Sequence, residues 1–140
     1  MDGYQLERLK LAFSHHFAGT IVDADGEIDV SELAFIAKAF PNETLQTCGF
    51  VDLEGRYTDA YRVAVDESMR LLPEVLSKAD KVGLIRTLFS AAIADGQFHF
   101  QEGNVLMLAG QLLGMDGDEI TGAMEQESPM GELELPEPEK

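Results

Sequence analysis

Five carboxylates fall within ten residues near the start of this chain: Asp23, Asp25, Glu27, Asp29 and Glu32, with Gly26 among them. Like charges this close repel one another, and a bound cation is one way to relieve that cost. The donors are all oxygen, which suits hard ions such as calcium or magnesium. Seventy residues on, the pattern returns in thinner form. Ala94-Asp95-Gly96 repeats Ala24-Asp25-Gly26, an apolar residue (Ile28, then Phe98) follows two positions after the glycine, and a glutamate (Glu32, then Glu102) follows six positions after it. Asp95, His99 and Glu102 are the candidate ligands of this second copy. The imidazole shifts its preference toward a transition ion such as zinc, the weaker option of the two turns.

The same residues admit other readings. With Ile21 at position one, Asp23, Asp25, Gly26, Ile28, Asp29 and Glu32 occupy positions three, five, six, eight, nine and twelve of an EF-hand calcium loop, but the first ligand is then an isoleucine where an aspartate belongs. Asp29 or Ser31 can instead cap a following helix, with Glu32 in its first turn. A metal-dependent hydrolase working through Asp25 and Asp95 is a third reading. The chain holds no Gly-rich phosphate loop, no Gly-x-Ser-x-Gly elbow and no His-Glu-x-x-His, so a non-catalytic role is expected. His15 and His16 are adjacent, and neighbours on a helix point about 100° apart, so at most one is expected to face a given site.

The elements that position these turns read as helices. Leu6, Leu9, Phe13, Phe17 and Ile21 recur at three-to-four-residue spacing and predict a first helix ending near Asp25-Gly26. Leu33, Ile36, Ala37 and Phe40 predict a second, stopped by Pro41. Asn42 to Gly55 reads as a helical turn and loop. Tyr61, Ala64, Val65, Ser68, Met69 and Leu72 form a third stripe behind an N-cap at Thr58, with a break or kink expected near Leu72 because of Pro73. Ser77 with Asp80 opens the next helix, which carries Leu84, Leu88 and Ala91 and ends at Asp95-Gly96. Val105 to Leu113 is apolar nearly all round and is expected to be the buried helix. Gly114 should end it, and Asp116 with Glu119 should open a last helix to about Glu125.

No stretch alternates with a period of two, so the expected fold is all-α: about six or seven helices built from two related helix, Asp-Gly turn, helix repeats, about 4–41 and about 77–125. Residues 1–125 form the domain, and 126–140 an acidic Pro/Glu-rich tail that is expected to be disordered. The 140 residues carry 26 acidic against 10 basic side chains, a formal charge of -16, which argues against nucleic acid and favours cations or a basic protein surface as partner. No apolar run is long enough to span a bilayer, and the N-terminus does not resemble a signal peptide, so a cytoplasmic protein without direct membrane insertion is expected. Cys48, the only cysteine, is expected to be a buried thiol.

Apolar helix, Ala-Asp-Gly, spacer, glutamate, apolar helix and then Leu113-Gly114-Met115-Asp116 together resemble the tellurite-resistance TerB-like domains, a group that includes the N-terminal domain of a membrane-anchored DnaJ-like co-chaperone. The resemblance is best over Leu72 to Ile120, with Ile21 to Phe40 as the related first copy. It implies an all-helical domain with two neighbouring Asp-Gly turns, whose acids, here Asp25, Glu32, Asp95 and Glu102, bind divalent metal. It also implies a scaffold in stress resistance, with membrane-associated stress-response proteins among its partners. Gly103, Asn104 and His99 depart from the family pattern.

Overall fold

The computed structural model describes residues 2–24, 30–94, 96, 98 and 100–126. Among them the chain forms seven helices in the order α1 (Gly3–Asp23), α2 (Val30–Ala39), α3 (Asn42–Thr47), α4 (Asp59–Val75), α5 (Lys78–Ala92), α6 (Phe100–Leu112) and α7 (Gly117–Gln126), and no strand. The tail beyond Gln126, and the residues Asp25 to Asp29, lie outside the described residues.

The predicted stripe of α1 is the centre of the core. Leu9, Phe13, Phe17 and Ile21 are buried on it, with Ala12, Ala18 and Val22 filling the gaps. Fully burying a side chain of this size is worth roughly 1.5–3 kcal/mol, so the stripe outweighs the Asp2 cap, worth about 1 kcal/mol, that accepts from the Gln5 amide at the helix start. α1 packs against α2, α4, α5 and α6, while α5 packs against α1, α2, α6 and α7. The contacts are reciprocal: α2 reaches across to α5, and α6 to α1. Each hairpin therefore lays its second helix on the first helix of the other.

Helix ends follow the expected side chains. Thr58 accepts from the Tyr61 amide at 3.3 Å and Ser77 from the Asp80 amide at 3.1 Å. Asp116 and Glu119 cap reciprocally, the Glu119 amide donating to Asp116 Oδ1 at 2.8 Å and the Asp116 amide to Glu119 Oε1 at 3.0 Å. Gly114, at φ 86°, lets the amides of Gly114 and Met115 return to the carbonyls of Gln111 and Gly110 and close α6.

Four expectations are corrected. Pro73 does not break α4 near Leu72; the helix runs to Val75. A proline removes one ladder bond, but this one stands in the last turn, and the Leu76 amide already donates to Leu72 at 3.0 Å beyond it. The helix predicted to be buried all round, now α6, starts earlier and keeps an open side, with Phe100 80% and Leu108 50% exposed. Its apolar residues outnumber the positions that α1, α5 and α7 can cover. On α2, Leu33 is half-exposed and Ala37 exposed, and the one fully enclosed side chain is Glu32. Cys48 is free and half-buried rather than enclosed.

Two glycines separate close packing from mere tolerance. A Cβ on Gly110 would collide with the Ile120 side chain, itself fully buried, whereas one on Gly83 would meet nothing. Gly110→Ala should therefore lower stability by about 1–3 kcal/mol through overpacking of α6 on α7. Gly83→Ala, in the middle of α5, should raise it by about 0.5–1 kcal/mol, both read by urea unfolding.

Candidate functional site

The seven sequence candidates for metal ligation divide by setting. Asp25, Asp29, Asp95 and His99 lie outside the described residues. Asp23 is exposed at the end of α1. Glu32 and Glu102 are enclosed, at 1% and 0% exposure, each in the first turn of the helix that follows an Asp-Gly turn. Taking an ionised carboxylate out of water costs several kcal/mol, and the helix N-terminus returns at most about 2 kcal/mol. The helix ends alone do not balance these two charges, and each glutamate has a further interaction partner in the fold. Among the described residues no three His, Cys, Asp or Glu side chains gather as a metal-holding group.

The EF-hand register meets a physical obstacle at its start. Ile21, Val22 and Asp23, its first three positions, are the last residues of α1, and the Ile21 side chain is in the core. A loop whose ligands begin at position one cannot start inside a helix with that side chain turned inward.

A second candidate site was invisible in the ligand pattern. In the last two turns of α1 the residues left open are His16, Gly19, Thr20 and Asp23. That spacing is a single stripe. It forms one wall of a cleft of about 240 Å³, and Tyr57 and Tyr61 form the opposite wall. His15 also lines the cleft, so both adjacent histidines border one site where at most one was expected to face it.

Tyr57 is held there by the loop before α4. Val51 and Tyr57 make an isolated antiparallel bridge, closed by Asp52 Oδ1 accepting from the amides of Glu54 and Arg56, each at 2.9 Å, with Gly55 at φ 83°. The loop is tied back to α1 by Arg8, which donates to the Cys48 carbonyl at 3.0 Å and lies 4.8 Å over the buried Phe50 ring. Tyr57 then stacks on Tyr61 with centroids 4.8 Å apart and planes 23° from parallel.

His15 is the buried hinge of this arrangement. Its Nδ1 lies 2.8 Å from the Tyr61 hydroxyl, and its ring meets Phe40 and Tyr57 edge-on at 5.4 and 5.7 Å. Burial, and then the neighbouring His16, hold the His15 pKa below the ordinary 6.5. Burial also lowers that of His16, against the opposing pull of Asp66, and burial raises that of Tyr61. Both imidazoles are therefore neutral near pH 7, and the phenol keeps its proton. Tyr57, Gly19 and Thr20 carry no ligand motif, and the sequence signal for this cleft was the set His16, Gly19, Thr20 and Asp23 at i, i+3, i+4, i+7, which interrupts no apolar position of the α1 stripe.

With this geometry in view, comparison with known proteins gives one family. The sequence model of a family described as "Tellurite resistance protein TerB" matches residues 16–125, well over half of the 140-residue chain. The chain belongs to that family. No curated protein and no solved structure matches it significantly. Among the described residues no helix is long and apolar enough to cross a membrane.

The histidines set an acid limit on stability. In the unfolded chain they take up protons as pH falls through 6.5, while in the fold their lowered pKa values delay uptake, so stability decreases progressively below pH 6.5. Glu119, whose carboxyl is held below 4.5 mainly by the Asp116 amide, acts in a separate, more acid window. Urea midpoints should thus fall between pH 7 and pH 5, and NMR titration should place both imidazole midpoints below 6.5. Replacing both His15 and His16 by Gln should flatten most of that dependence.

Proposed function

We propose that this TerB-family chain is a non-catalytic stress-response module of the tellurite-resistance type, whose state depends on a divalent cation held at the turns before α2 and α6. The observation that carries the reading is the pair of enclosed glutamates, Glu32 and Glu102, at the same place in two hairpins that pack on one another. Oxygen donors at both places favour calcium or magnesium, with zinc reserved for the second turn, where His99 adds a nitrogen. Two carboxylates do not complete a coordination sphere. A cation before α2 would take further ligands from Asp25 and Asp29, and one before α6 from Asp95 and His99. Asp23 faces the cleft beside α1 and is the weakest member of the set.

In this reading the cation joins the end of one helix to the first turn of the next and offsets the cost of burying the two carboxylates. The acidic surface, at a net charge of -16, serves the second half of the function, attracting a basic face on a partner protein in the cytoplasm, membrane-associated stress-response proteins included.

Thermal unfolding after chelation, repeated with calcium, magnesium, manganese or zinc, tests the cation. A ligand at a hundredfold excess over its Kd adds about 2.7 kcal/mol, so at least one ion should raise Tm by several degrees. Glu32→Gln and Glu102→Gln keep the side-chain volume and remove the buried charge. Each should abolish or halve the cation response, read as the difference in Tm between the chelated and the cation-loaded variant. An unchanged Tm with all four ions sinks the metal reading.

A further inference from the structure

The cleft between α1 and the start of α4 is a site of another kind, and it does not depend on the cation. Its walls offer acceptors and aromatic surface, with no positively charged side chain among them. Thr20 donates its hydroxyl proton to the His16 carbonyl at 2.9 Å, which leaves the oxygen's lone pairs for an incoming donor. Asp23 adds an exposed carboxylate one turn further on. Tyr57 is 53% exposed, so ring surface remains free beside its stacking contact with Tyr61. The two imidazoles bring no charge near neutral pH.

Gly19 shares with Gly83 an open position within a helix and differs from it in lining the cleft. Glycine within a helix costs roughly 0.5–1 kcal/mol relative to alanine. Packing usually explains such a residue, as it does at Gly110, but a Cβ on Gly19 would have nothing within 4 Å. The fold has no internal use for the missing side chain. The space it leaves is the floor of the cleft.

We infer that this cleft receives an arginine side chain from a basic segment of a partner protein, the guanidinium lying against Tyr57 over Gly19 and donating to Asp23 and Thr20. The match is chemical on each count. A guanidinium is flat, stacks on aromatic rings, carries five donors and no acceptor, and forks onto a carboxylate. A cleft of about 240 Å³ has room for one such side chain. The overall charge of -16 brings a basic segment toward the surface, and the cleft gives it a specific stop.

The test is titration with a short N-acetylated, C-amidated Gly/Ser peptide carrying one central arginine, alongside lysine and citrulline counterparts, all in excess chelator so that the result is independent of any cation. The arginine peptide should shift the amide resonances of Gly19, Thr20, Asp23 and Tyr57 and change tyrosine emission. Lysine should bind more weakly and citrulline, which keeps the shape without the charge, weaker still. Gly19→Leu, which fills the floor without altering charge, Asp23→Asn and Tyr57→Ala should each weaken arginine binding at least about tenfold, the scale of one charge-assisted bond or stacked cation. Gly19→Leu should not lower Tm, so its loss of binding cannot be read as unfolding. Glu74→Gln removes one exposed charge about 20 Å further along α4 and is the control. Equal affinity for the three peptides, or equal loss in Glu74→Gln and Asp23→Asn, would show general attraction to an acidic surface and overturn the assignment.

Discussion

Everything in this structure leans on the burial of the apolar face of α1. The helix touches α2, α4, α5 and α6, so most of the hydrophobic stabilisation passes through it. Its burial requires that Ser14 and His15 go inside along with the leucines and phenylalanines. A buried imidazole needs a partner, and Tyr61 of α4 provides it at 2.8 Å. That contact fixes the start of α4, which in turn seats the stacked Tyr57 at the end of its loop. The stripe left open in the last two turns of α1 then becomes a cleft wall, because Tyr57 and Tyr61 stand beside it.

The two enclosed glutamates show the same logic at the starts of α2 and α6. α2 and α6 each enter the bundle through a first turn, where backbone amides point outward and an acid is favoured. On a surface helix such a glutamate would be an ordinary end charge. Here reciprocal packing of the hairpins draws Glu32 and Glu102 inside, where each meets a further partner in the fold. Membership in the TerB family gives these positions a context.

How much of this could be read beforehand depended on whether the signal was local. The caps at Thr58, Ser77 and Asp116, and the glycine stop at Gly114, were legible because each is an interaction across three or four residues. So was the stripe of α1. The same periodicity misled at α6 and α2, where apolar residues such as Leu108 and Leu33 remain exposed, since a pattern names a face without saying whether another helix arrives to cover it. Pro73 misled for the opposite reason: the rule against proline concerns a ladder that was already ending.

The sequence by itself determined the all-α class, the two Ala-Asp-Gly segments with their following glutamates, the acidic character and the family. These follow from spacing, capping chemistry and charge, all of which act over short distances or over the chain as a whole. Only the tertiary structure decided which of the acids are enclosed, that His15 and His16 share one cleft, and that Gly19 serves as a floor rather than as a packing contact. Those outcomes depend on which helices meet, and meeting partners more than forty residues apart, as His15 and Tyr61 do, leave no periodic trace in the chain.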